Sequence, residues 1–304
     1  MLQLLLLSFL IVPALGHALE PTAVADHVYA FIAERGEISP ANLGNVGNSG
    51  FIVGSSGVIV IDTGASYRQG KQMISAIRTV TDQPIVLVII THAVQEFVFG
   101  ASAFAETGAD LLTHAKSADL MRQRCTHCLD NLTSQLGQEA MSGTRLVVPQ
   151  RTIERSESMR VAGRDIELLY FGWASTPGDL AVFDRASGVL FAGGLVSNGR
   201  VPELRDGQLA GWLDALDQLQ RMPVRIVVPG HGPAGGRELV DLTTAYLRAL
   251  DAQVQSMYRH GATLTQTVDE VALPAFSNWD LYSTLHRQNA LHRYLQLESE
   301  ELSR

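Results

Sequence analysis

Residues Pro84 to Ile90 form an unbroken apolar run, Pro-Ile-Val-Leu-Val-Ile-Ile, which ends in Thr91-His92. A half-exposed strand alternates apolar and polar side chains. One that stays apolar at every position is buried on both faces, as in a parallel sheet covered by helices. The run therefore constrains the chain to a layered α/β arrangement with this strand inside. Gly50 to Gly64 (GFIVGSSGVIVIDTG) reads as a hairpin, two β-rich runs joined at Ser55-Ser56-Gly57. Helices are expected from Ser66 to Thr81, from His114 to about Gln138, at Leu209 to Gln220 and from Gly236 to Arg259. Further strands are expected at Arg145 to Val148, Ile166 to Tyr170, Leu180 to Phe183, Val189 to Ala192 and Ile226 to Val228. The tail beyond Thr263 reads as helical, including His286 to Leu297, with a break at Pro274. This order predicts sheets inside and helices outside.

The net charge of −8 and the lack of a Lys/Arg run argue against nucleic acid or an anionic membrane, since both need a concentrated positive patch. Met1 to Leu15 is almost wholly apolar and meets Gly16-His17-Ala18, which matches a signal peptide cut after Ala18. The expected organisation is a leader over 1–18, a main domain over 19–260 and a helical cap over 261–304. The expected location is periplasmic or secreted, with no membrane attachment after cleavage. The two cysteines, Cys125 and Cys128, are spaced C-x-x-C within a helix. In an exported chain they are expected to form a local disulfide, with two free thiols or a redox pair as the alternatives. Two thiolates do not complete a four-ligand structural zinc site.

Five short segments follow one another along the chain: Ile61-Asp62-Thr63-Gly64, Ile90-Thr91-His92, Thr176-Pro177-Gly178-Asp179, Phe191-Ala192-Gly193 and Val228-Pro229-Gly230-His231-Gly232-Pro233. Together, over about Asn48 to Pro233, they resemble the metallo-β-lactamase fold, an αββα sandwich of two mixed sheets between helices. Asn45 to Gly50, Gly207 to Leu216 and the Trp279, His286, Asn289 tail are similar to one branch. That branch is the SoxH-related quinoprotein relay metallohydrolases found with PQQ-dependent dehydrogenases.

The family's reaction uses two zinc ions that lower the pKa of a shared water. Its first loop reads T-H-x-H-x-D-H, where this chain has Thr91-His92-Ala93-Val94-Gln95-Glu96-Phe97. By this resemblance His92 matches, Val94 and Phe97 stand where histidines belong, and Glu96 replaces the aspartate. Ser175 takes the place of the histidine before T-P-G-D, and Gly194 that of the metal-bridging aspartate. His231 again matches. Asp62 is implied to shape the metal loop from outside it. A complete four-ligand zinc site is worth roughly 10–16 kcal/mol near neutral pH, and these losses remove most donors of both sites.

The resemblance and its gaps together imply a pseudoenzyme, with no cofactor expected. It would be an accessory or binding protein of a periplasmic quinoprotein system, its partner a protein of that system or a small molecule. A mononuclear zinc hydrolase built from His92, Glu96 and His231 is the first alternative, because two histidines and a carboxylate form a known zinc triad. Thiol-disulfide chemistry at Cys125 and Cys128 is the second. Among single residues, His114 is expected to be structural and Trp173 to pack in the core. Ser175 has no evident base within its motif to make it a nucleophile.

Overall fold

The computed structural model describes residues 19–303, so the expected leader over 1–18 lies outside the described residues. One sheet has seven strands in sequence order: β1 (Thr22–Ala25), β2 (Val28–Phe31), β3 (Ser49–Val53), β4 (Val58–Ile61), β5 (Ile85–Ile89), β6 (Asp110–His114) and β7 (Arg151–Ile153). The second has five: β8 (Glu157–Val161), β9 (Arg164–Leu169), β10 (Ala181–Asp184), β11 (Val189–Ser197) and β12 (Ile226–His231). In each sheet the earlier strands pair antiparallel and the later ones parallel. The change falls between β4 and β5 in the first sheet and between β11 and β12 in the second. The helices are α1 (Tyr67–Val80), α2 (Gln95–Val98), α3 (Ala101–Phe104), α4 (Ala115–Leu136), α5 (Leu209–Gln220), α6 (Glu238–Arg259), α7 (Leu264–Glu270) and α8 (Arg287–Leu302).

The strand period of two divides the apolar runs between layers. Ile59 and Ile61 of β4 and Leu87 and Ile89 of β5 meet Ile166, Val182 and Phe191 between the sheets. Their neighbours Val58, Val60 and Val88 turn outward onto Met73 and Ile77 of α1. Both faces are therefore covered, which is why the β5 run carries no polar residue. Outside the second sheet, α5, α6 and the C-terminal helices bury Trp212, Tyr246, Leu250, Leu285 and Tyr294 in one cluster. The result is the expected αββα sandwich with a C-terminal helical extension. The extension shares this core.

Most expected elements lie where the sequence placed them, within a few residues. Ser66 caps α1, its side chain accepting from the Gln69 amide. Arg145 to Val148 is not a strand. Leu146, Val147 and Val148 lie as an irregular segment against the apolar cluster on α4, and the place beside β6 goes to Arg151–Ile153. The expected disulfide is not formed either: Cys125 and Cys128 are free thiols on α4.

The C-terminal helices also fix the loop that follows β11. Asn289 donates to the Pro202 carbonyl (2.7 Å) and to the Tyr246 hydroxyl (3.0 Å), and accepts from the Leu204 amide (2.8 Å). Asn289 is fully buried, so truncating it strands several polar groups at once. Asn289→Ala is expected to cost about 1–3 kcal/mol for each buried partner left unmet. Urea unfolding measures this, and a loss below about 0.5 kcal/mol would mean that the cap does not anchor the loop.

Candidate functional site

The carboxyl ends of the parallel strands gather at one rim of the sandwich, the usual place for a ligand in open α/β sheets. Asp62 follows β4, Thr91 and His92 follow β5, Gly194 lies in β11 and His231 ends β12. A shallow open cleft lies over them. His92, Val94, Glu96, Ser175, Gly194 and His231 all line it, although they are scattered over some 140 residues of sequence.

Asp62 organises the floor. Its backbone is left-handed (φ 59°), a conformation that Asp tolerates better than most residues. Its buried carboxylate accepts from the Thr91 amide and the Thr91 hydroxyl, both at 2.8 Å. The Thr91 hydroxyl also lies 2.7 Å from Nδ1 of His92. With its proton given to Asp62, it is left to accept from His92 Nδ1–H. That leaves Nε2 of His92 as the atom free to face the cleft. Burial pushes the Asp62 carboxyl up to about 7, against the pull of the two Thr91 hydrogen bonds.

Glu96 and His231 meet across the floor, Oε1 to Nε2 at 3.2 Å. Burial raises the Glu96 carboxyl, but the His231 hydrogen bond and the nearby charges of His231 and Arg200 outweigh it and hold the group at about 2. Phe97 is wholly buried and packs against both histidines, with its ring centroid 4.4 Å from His92 and 5.5 Å from His231. The backbone of Gly47 closes over it: a Cβ there would lie 2.7 Å from the Phe97 ring. Gly194 lets Ser175 and His92 close in from the other side. A Cβ at 194 would lie 2.5 Å from Ser175 Oγ and 3.0 Å from the His92 ring. Asn48 holds the His231 loop in place, donating to the Pro229 and Gly232 carbonyls on either side of it.

A model of the metallo-β-lactamase superfamily matches residues 43–231, the stretch that builds this rim. The chain belongs to the metallo-β-lactamase superfamily. It is 22% identical to the linear primary-alkylsulfatase of a Pseudomonas species over 72% of its own length, but spans only 48% of that protein. It is 21% identical to the metallo-β-lactamase type 2 of Bacteroides fragilis, covering 73% of this chain and 82% of that one. Among solved structures, a metallo-β-lactamase from Pontibacter korlensis superposes with a TM-score of 0.63 at 22% identity, over 75% of this chain and 98% of the other.

The superfamily implies zinc, and the residues present do not fit a metal centre. Among the described residues, no three His, Cys, Asp or Glu side chains converge for a metal ion. Three of the observed side chains show why. Glu96 is engaged by His231, the Phe97 ring packs against both imidazoles, and His92, held through Nδ1 by Thr91, offers the single nitrogen Nε2. Of the mononuclear triad, Glu96 and His231 are hydrogen-bonded to each other, and His92 lines the same cleft.

Other sequence expectations resolve plainly. Ser175 Oγ donates to Asp179 of its own motif at 2.7 Å, a partner the sequence reading missed. His114 is structural: it caps α4 through Nδ1 and stacks on Tyr170 at 3.9 Å, away from the cleft. Trp173 is not in the core but 49% exposed, its indole donating to the Asp206 carbonyl at the cleft lip. The lip residues Arg200, Glu203, Arg205 and Asp206 follow β11 and carry no motif.

Burial lowers the His92 pKa to about 3, against the pull of Glu96 and with a further push from His231. The unfolded chain takes up this proton near pH 6.5, the native one only near 3, so the contribution of His92 to stability is lost as pH falls through that window. Asp62 acts oppositely, its contribution being lost as pH rises towards 7, so a comparison of variants isolates the imidazole. Urea midpoints of His92→Gln and the parent chain are expected to converge or cross in favour of the variant between pH 6.5 and 3, at up to about 1.4 kcal/mol per pH unit. Parallel curves would contradict a sheltered neutral His92.

Proposed function

We propose that this chain is a non-catalytic member of the superfamily, a binding or accessory protein that keeps the scaffold and has lost the dinuclear zinc centre. The carrying observation is the Phe97 ring packed against both His92 and His231, below a floor where Glu96 is already paired. The other positions agree. By their resemblance to the family's ligand positions, Val94, Phe97, Ser175 and Gly194 are substituted, and Gly194 has no room for the bridging aspartate while Ser175 and His92 stay where they are. Without a metal, nothing on this floor would ionise a water near neutral pH.

The cleft still offers a binding site. His92 Nε2, the Glu96–His231 pair and the Arg200 guanidinium are polar anchors, set beside Val94, Val196, Val201 and Trp212. Such a mixture suits a small organic molecule. The branch resemblance at Asn45 to Gly50 and Gly207 to Leu216 supports service in a periplasmic quinoprotein oxidation system, with export through the 1–18 leader. The sulfatase and lactamase relatives support the competing reading, a working hydrolase.

Restoring the ligands separates the two. Equilibrium dialysis against micromolar zinc is expected to leave the parent chain empty. The variant carrying Val94→His, Glu96→Asp, Phe97→His, Ser175→His and Gly194→Asp is expected to take up about two ions. Tight zinc binding by the parent chain, whatever the variant does, would overturn the proposal.

A further inference from the structure

Cys125 and Cys128 sit three residues apart on α4, on the side of that helix that faces the cleft's supports. Cys125 is buried in the apolar cluster that contains Phe97, Met121 and Leu132, and Cys128 is half-buried at its edge. The two thiols lie one helical turn apart on the same helix. The same helix packs against α2, which carries Glu96 and Phe97. Arg124, one residue before Cys125, pairs with Asp206 of the cleft lip. Arg205, the lip residue beside it, lies close enough for its charge to act on Cys128.

We propose that Cys125 and Cys128 are a peroxide-reactive dithiol, in which Cys128 is the attacking thiolate and Cys125 the resolving thiol. The division follows from position: the half-buried Cys128 is open to an oxidant, and the buried Cys125 lies one turn away on the same helix. Reactivity resides in the thiolate, and cationic neighbours favour it. The neighbouring Cys125 thiol and the charge of Arg205 draw the Cys128 thiol down, against burial and the charge of Asp206, while the neighbouring Cys128 and burial push Cys125 up.

The chemistry balances with a peroxide as the oxidant. Cys128 thiolate attacks one peroxide oxygen, the O–O bond breaks, and the leaving alkoxide or hydroxide takes up a proton. This leaves a sulfenic acid on Cys128. Cys125 then gives up its proton and attacks the Cys128 sulfur. The S–S bond forms, the S–OH bond breaks and water departs. The two thiols supply the two electrons that reduce the peroxide.

Closing the bond must tighten α4. Residues three apart on a helix have Cβ atoms roughly 5–6 Å apart, whereas a disulfide needs about 3.8 Å. The bond is therefore strained and easily reduced, as suits a reversible modification rather than a structural staple. The tightened turn includes Arg124, so oxidation pulls on the lip at Asp206. Trp173 donates to that residue's carbonyl at 2.7 Å and reports on it.

The test titrates the reduced full chain with hydrogen peroxide and follows intact mass. The parent chain is expected to lose about 2 Da, one disulfide, at low oxidant excess. Cys125→Ala is expected to gain about 16 Da on Cys128, trapped by dimedone. Cys128→Ser is expected to slow oxidation of Cys125 by about tenfold or more, the loss of the attacking thiolate. Either no 2 Da loss, or equal oxidation of Cys125 with and without Cys128, would overturn the proposal. Oxidation of the parent chain should also shift tryptophan emission, and Trp173→Phe should abolish the shift. A disulfide that forms with no such shift would overturn the coupling to the lip. Zinc content does not enter these readouts, so failure here and failure of the proposed function are separate results.

Discussion

The site hangs on one buried carboxylate. Asp62 takes both the amide and the hydroxyl of Thr91, joining the end of β4 to the end of β5 just where the chain leaves the sheet. That tie fixes the direction of the loop from His92 to Phe97 and, through the Thr91 hydroxyl, the orientation of the His92 ring. It needs no metal. A scaffold whose metal loop is shaped by a carboxylate and a hydroxyl can lose its ligands and still hold the loop. On the proposed function, this explains how the rim of a metallo-β-lactamase fold would survive the loss of the metal.

The floor of the cleft follows ordinary rules for buried groups. A buried charge has to be paired, and Glu96 pairs with His231. Beneath the cleft the Phe97 ring packs against His92 and His231, with the backbone of Gly47 closing over it. The histidines that remain are sheltered as hydrogen-bonded side chains.

Much of this was legible in the sequence, and the reasons are local. The Pro84 to Ile90 run could only be a strand covered on both faces, and β5 is that strand. The short motifs placed His92, Glu96, Ser175, Gly194 and His231 in one cleft, because each is tied to the end of a strand. The run at Arg145 to Val148 misled, since β-branched residues also suit an irregular segment lying on a helix. The lip residues Arg200, Glu203 and Arg205 could not be read at all. Their loop reaches the cleft only because Asn289 and Asp280, some eighty residues later, hold it there by hydrogen bonds to Pro202, Leu204, Gly199 and Val201. No local pattern records such a tie. The spacing of Cys125 and Cys128 was plain from the start, but their state was not, because i, i+3 thiols on a helix can be paired or free.

The central claim, that Phe97 and the Glu96–His231 pair occupy the place of the metal, is tested most directly by diffraction at the zinc absorption edge. Crystals of the parent chain grown in excess zinc would be measured for anomalous scattering at the cleft floor. The account predicts no peak among His92, Glu96 and His231, with the Phe97 ring packed against both imidazoles. A zinc peak held by those three side chains, with Phe97 turned away, would contradict it and return the chain to the hydrolases.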